Sequence, residues 1–108
     1  MLRQDYIGRL IQQLAEMLAR VAGLRKEGQP EQADAAIEDA ERALGIPVGA
    51  ERLDARSVAM LLGGADKVVL AALMLEHKAL SADARGDHAL AAKHRARALG
   101  LLSHAAPT

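Results

Sequence analysis

Cysteine, tryptophan and phenylalanine do not occur in this chain of 108 residues, and Tyr6 is its one aromatic residue. Without cysteine there is no disulfide framework, no thiolate-ligated zinc or iron–sulfur site, and no cysteine nucleophile. With a single ring there is no stacking platform for single-stranded nucleic acid. An excess of one charge is missing as well, since 14 Lys+Arg stand against 14 Asp+Glu. Binding to a phosphate backbone needs a cationic surplus, so nucleic acid is not expected as a partner. The longest apolar run, Val68 to Leu75, has eight residues, far short of the roughly 18 that cross a bilayer. No membrane insertion is expected. Met1-Leu2-Arg3-Gln4-Asp5 opens on an amphipathic pattern rather than the apolar stretch of a secretion signal. With no cysteine to mark an oxidising compartment, the expected location is the cytoplasm.

What is present is mostly aliphatic. The chain holds 24 Ala and 17 Leu, and Leu, Ile and Val together number 26. That is enough for one core and one domain spanning residues 1–108. No stretch alternates with period two, and Ala, Leu, Arg and Glu favour helix. A first helix is predicted from about Leu2 to Lys26, with Ile7, Leu10, Ile11, Leu14, Leu18 and Val21 as one stripe and Tyr6, Met17 and Leu24 widening it. Gly28 closes it. Pro30 opens a second helix to about Leu44, with Ala33, Ala36, Ile37, Ala40, Ala43 and Leu44 inward. Gly45-Ile46-Pro47-Val48-Gly49 ends that helix, and residues 45–54 form the least regular connection. Asp54 is placed to cap a short third helix, Ala55 to Leu62, whose Val58, Leu61 and Leu62 should point inward. After Gly63-Gly64 a fourth helix runs from Ala65 to about Arg85 and is apolar on nearly every side. Such a helix is expected to be buried on more than one side. Gly86 ends it, Asp87 caps the fifth, and that one runs from His88 to Ser103, with residues 104–108 as a frayed tail. Met17, Met60 and Met74 fall at core spacing.

Two segments align on Gly28 and Gly86. Gly28, Ala33, Ile37, Ala40 and Leu44 match Gly86, Ala91, Arg95, Ala98 and Leu102 at four of five places. Glycine closes a tight helical turn, alanine lets the second helix approach the first, and leucine fills the end of the pair. This order resembles the helix-turn-helix unit of tetratricopeptide-repeat proteins. The resemblance covers residues 1–45 and 66–103. The chain departs from that family in its offset of 58 residues, in its lack of Tyr and Phe, and in Arg95, which stands where an apolar residue is usual. The opening through Tyr6-Ile7, Arg9-Leu10-Ile11 and Gln13-Leu14-Ala15, continued by Leu24-Arg25-Lys26-Glu27-Gly28, also resembles a small uncharacterised bacterial family held to be tetratricopeptide-like. That likeness implies an all-α fold of about five helices, two tetratricopeptide-like hairpins joined by a short inserted helix. It brings no catalytic residue.

Candidate chemistry is sparse. His77, His88, His94 and His104 are spaced by 11, 6 and 10 residues, and none makes the i, i+4 pair of a metal-binding helix. They read as solvated or helix-terminal side chains. Glu38, Asp39 and Glu41 read as a solvated acidic face. Ser57, Ser81 and Ser103 lack a nucleophile elbow, and Gly63-Gly64 lacks the lysine-serine pattern of a phosphate loop. No enzyme activity, cofactor or metal is expected.

The neutral total conceals two halves. Residues 1–54 carry 7 Lys+Arg against 10 Asp+Glu, and residues 55–108 carry 7 against 4. The basic fifth helix, with Lys93, Arg95 and Arg97, is expected first to balance the acidic second helix within the molecule; the alternatives are that it meets its counterpart in a two-fold dimer or binds an acidic peptide or polyanion. The function expected is a protein–protein interaction or scaffolding module. In the tetratricopeptide-like arrangement the first helices of the hairpins line the inner surface. That makes Arg9, Gln13, Glu16 and Arg20, with Glu76 and His77, candidate contact residues beside Lys93, Arg95 and Arg97. The alternative is a self-associating homodimer, in which the fourth helix supplies the interface.

Overall fold

The computed structural model describes residues 2–46 and 53–105, less the side chains of residues 2–5 and 7. Helix α1 spans Leu2–Lys26, α2 Pro30–Leu44, α3 Ala55–Leu62, α4 Ala65–Ala84 and α5 His88–Ser103. The five helices stand at the expected positions, and no strand occurs among the described residues. The place of Ile7 in the α1 stripe, the turn at Pro47, Val48 and Gly49, and the tail at 106–108 lie outside them.

Two hairpins dominate, α1 against α2 and α4 against α5, and α4 also lies on α2 and α1. The hairpin turns are built alike. The amide of Gly28 donates to the carbonyl of Arg25 and that of Gln29 to Leu24; Gly86 donates to Asp83 and Asp87 to Ala82. This paired 5→2 and 6→1 pattern needs a left-handed residue at its centre, and Gly28 and Gly86 have φ of 76° and 81°. Past each turn the alanine that follows donates to the residue after the glycine, Ala33 to Gln29 and Ala91 to Asp87. The offset of 58 residues is therefore a structural register as well as a sequence one.

The core follows from this. Leu10, Leu14, Leu18 and Val21 of α1 bury against Ala33, Ile37, Ala40 and Leu44 of α2, and the cluster takes in Val68, Ala71, Ala72 and Met74 of α4, Val58 and Leu62 of α3, and Ala98 and Leu101 of α5. A smaller cluster of Ala79, Ala82 and Ala91 closes the second hairpin. Asp54 caps α3 by accepting from the Ser57 amide at 2.7 Å, and Asp87 caps α5 by accepting from the Leu90 amide at 3.1 Å. Gly100 sits inside α5, where a Cβ would stand 3.3 Å from Ala55 Cβ. Its bare backbone is what lets the start of α3 come this close.

Several side chains expected inside are outside. Met60 is 74% exposed and Leu61 61%. Helix α3 has two turns and leans on α5 and α4 through Val58 and Leu62, so residues 60 and 61 face away. Tyr6 and Ile11 lie at the margins of the α1 stripe and are exposed, as is Ala43 of α2. Helix α4 is not covered all round. Its positions 68, 71, 72, 74, 79, 81 and 82 are buried, while Val69, Leu73 and Leu80 are exposed. It ends at Ala84, with Arg85 as its cap.

Both features of the hairpins can be checked by urea unfolding. Gly86 has open space around its Cα, so Gly86→Ala should lose only the conformational preference, about 1–2 kcal/mol. Ala33 is fully buried between helices, and Ala33→Leu should destabilise by about 1–3 kcal/mol through overpacking.

Candidate functional site

Polar contacts tie α4 to each of its long neighbours. Arg25, in the last turn of α1, donates to the backbone carbonyl of His77 at 3.2 Å and to the Ser81 hydroxyl at 3.4 Å. Its second terminal nitrogen lies 3.4 Å from His77 Nδ1. Ser81 is fully buried, so the guanidinium satisfies a hydroxyl that water does not reach. Burial, and after it the Arg25 charge, holds the half-buried His77 imidazole below its ordinary value, with Glu76 acting the other way. A neutral His77 can accept at Nδ1; a protonated one cannot.

On the next side of α4, Lys78 Nζ donates to Glu41 at 2.8 Å and Arg85 pairs with Asp34. The acids of α2 thus meet bases of α4, not the basic α5 expected from the charge pattern. The reason is position: α2 lies against α4, and α5 occupies another side of that helix. His94 of α5 lies near the same bases. Its Nδ1 is enclosed without a hydrogen-bond partner among the described residues. Burial first, then Lys78 and Arg97, keep its imidazole below the ordinary value. Two of the four histidines are therefore half-buried rather than solvated.

Between the helices of the second hairpin, Arg95 reaches Glu76 at 3.4 Å and Asp83 at 2.9 Å, and His88 Nδ1 lies 2.8 Å from Asp83. The hydrogen bonds from His88 and then Arg95 hold the Asp83 carboxyl below its usual range, and Asp83 in turn raises Arg95.

The residues singled out from sequence separate into three places. Arg9, Gln13, Glu16 and Arg20 recur at i, i+4, i+7 and i+11 and form one exposed stripe on α1. That stripe lies on the opposite side of α1 from Leu18 and Arg25, so it does not join Glu76 and His77 in one surface. Glu76 and Arg95 come together. Lys93 is exposed on α5, and Arg97 donates to the Leu53 carbonyl at 3.2 Å. A pocket of about 80 Å³ opens where α2 to α5 converge, with Ala71, Leu75 and Leu101 in its wall and Glu41 and Lys78 at its edge. Those two are spent on each other. Among the described residues no three His, Asp or Glu side chains converge to hold a metal ion, and no helix is long and apolar enough to cross a membrane.

The most extended feature is an apolar face that sequence reasoning did not assemble. Val69, Leu73 and Leu80 recur along one side of α4, and Leu99 and Leu102 lie along one side of α5, all exposed. The Glu76–Arg95 pair falls within both rows and bridges them. This chain matches no known protein family, no curated protein and no solved structure.

The internal register gives the face a meaning. The first hairpin receives α4 through Arg25, Asp34 and Glu41, with Ile37 and Leu44 buried beside them. Fifty-eight residues on stand Asp83, Ala92, Leu99, Arg95 and Leu102. They belong to the exposed α4–α5 face. The signal was available in the sequence as the offset itself, applied to the residues around the repeat rather than to the repeat alone.

The Arg25 clamp predicts a pH dependence. A histidine held below its ordinary value adds stability that is complete above pH 6.5 and is lost as the pH falls through its lower folded value. His77→Gln retains an acceptor but does not titrate. In urea melts the wild type should lose more stability than His77→Gln between about pH 7.5 and pH 5. Equal losses would remove His77 as the cause.

Proposed function

We propose that this chain is a helical protein-interaction module, built of two tetratricopeptide-like hairpins and without catalysis of its own, which docks a protein partner or a second copy of itself on the α4–α5 face. The observation that carries this reading is the exposed apolar face itself, whose α5 members Leu99 and Leu102 stand 58 residues after Glu41 and Leu44, beside which the first hairpin receives α4. A surface lined by exposed Val69, Leu73, Leu99 and Leu102 suits another amphipathic helix. Contiguous exposed apolar patches on small proteins are characteristic of contact sites. Glu76 and Arg95 supply orientation more than affinity. The bacterial likeness of residues 1–28 and the missing cysteines support a place in a bacterial cytoplasm. The polar stripe Arg9, Gln13, Glu16 and Arg20 is the competing surface, and Lys93 and Arg97 lie apart from both.

Affinity purification with variants distinguishes the two surfaces. Leu99 is 69% exposed, so Leu99→Glu should leave the circular dichroism spectrum unchanged. It should lose the proteins that the wild type retains, and Arg20→Glu should keep them. The opposite pattern would move the docking site to α1.

A further inference from the structure

We propose that the joint between the two hairpins is acid-sensitive: protonation of His77 and His94 loosens the α1–α2 hairpin from the α4–α5 hairpin while each hairpin stays closed. Polar ties cross this joint on two sides of α4. On one side the Arg25 guanidinium of α1 reaches the His77 carbonyl and the Ser81 hydroxyl, and its second nitrogen lies 3.4 Å from His77 Nδ1. On the other, Glu41 and Asp34 of α2 hold Lys78 and Arg85. A histidine belongs to each side. His77 is part of the first. His94 of α5 stands by the second, where Lys78 and Arg85 of α4, Asp34 of α2 and Arg97 of its own helix act on it.

Neither imidazole has a place for a second proton. On His77, a proton at Nδ1 sets donor against donor and cation against cation at the Arg25 contact. The acid on that side, Glu76, is already engaged by Arg95 at 3.4 Å. On His94, a proton at Nδ1 falls on an enclosed atom that has no partner among the described residues, so the new N–H is buried without an acceptor. Lys78, Arg85 and Arg97 repel it, and Asp34, which attracts it, is paired with Arg85. A protonated His94 is relieved by drawing Asp34 from Arg85 or by moving out to water, and either loosens the contact of α2 with α4. Burial first, and then these cations, holds both imidazoles below the ordinary 6.5. Their contribution to stability is therefore complete above pH 6.5 and is lost as the pH falls through the lower folded values.

Within the hairpins the arrangement is the reverse. Helices α1 and α2 contain no histidine, and they close through the Gly28 turn and aliphatic contacts. Between α4 and α5, His88 Nδ1 lies 2.8 Å from one Asp83 oxygen, and Arg95 holds the other. A proton on His88 completes an ion pair there instead of opposing one. Acid thus acts on the joint and spares the hairpins.

The test is a set of spin-label distances in the full chain, which has no cysteine of its own. Gln13, Ala43, Leu73 and Ala96 are exposed and accept labels. Gln13→Cys with Ala96→Cys spans the joint, Gln13→Cys with Ala43→Cys spans the first hairpin, and Leu73→Cys with Ala96→Cys spans the second. Between about pH 7.5 and about pH 5 the histidines titrate while the carboxylates stay largely ionised. Over that range the joint distance should lengthen and broaden, and the two hairpin distances should not change. Imidazole proton resonances should show His77 and His94 titrating across the opening. His77→Gln combined with His94→Gln should keep the joint at its neutral distance in acid, with the helical spectrum intact. Should the double variant lose that spectrum, each single variant should open less than the wild type. His104→Gln, exposed just past α5, should open as the wild type does. A joint distance in the wild type that acid leaves unchanged overturns the inference, and that outcome needs no histidine variant. So does equal broadening of every distance, which is general unfolding, or opening of the histidine variants to the full wild-type extent.

Discussion

How closely two helices can approach is the constraint on which this structure depends. With no large rings to fill space, the hairpins close through alanine: Ala33 and Ala40 beneath α1, Ala79, Ala82 and Ala91 between α4 and α5, all fully buried. Short side chains bring backbones near one another, and the contact is then dense without being bulky. The glycine turns at 28 and 86 serve that geometry, because a wider turn would splay the pair. Gly100 extends the same solution to α3, which approaches α5 through Ala55. The aliphatic residues fill what the alanines leave.

A close-packed pair of hairpins leaves α4 as the shared element, and the charges are arranged around it. Arg25 reaches it from α1, Asp34 and Glu41 from α2, and Arg95 from α5. Each side of α4 meets a different set of charges, so the helix can rotate only by exchanging partners. Such contacts individually contribute little, roughly 0–1 kcal/mol where exposed. Their value is in fixing register, and an Ala-rich surface, which is smooth, offers few other features to fix it. The opposition of an acidic first half and a basic second half is in this light internal: α2 supplies acids to bases that α4 carries.

Much of this was legible in the sequence. Helix bounds followed from Gly28, Pro30, Asp54, Gly86 and Asp87, because capping and turn geometry are local and depend on few residues. Core positions in α1 and α2 followed from spacing. The failures share one cause. Met60, Leu61, Val69 and Leu73 are apolar, and periodicity says that an apolar residue shares a face but not whether another element covers that face. The pairing of α2 with α4 was hidden for a similar reason: net charge per segment carries no information about which helices touch. Arg25 gave no signal in the pattern of α1, since its partner is a buried serine 56 residues away. The candidate site was half legible. Glu76 and Arg95 were chosen for their charge, and the leucines that surround them came into view only when the two helices were placed side by side.

The turn bonds seen at Gly28 and Gly86 occur at Gly45 as well, so the turn alone does not decide what a hairpin carries. What differs between the two hairpins is one side chain. Where the first has Ile37, fully buried, the second has Arg95, held by Glu76 and Asp83. A paired guanidinium is costly to take out of water, so one register yields a sealed position in the first hairpin and a solvent-facing one in the second.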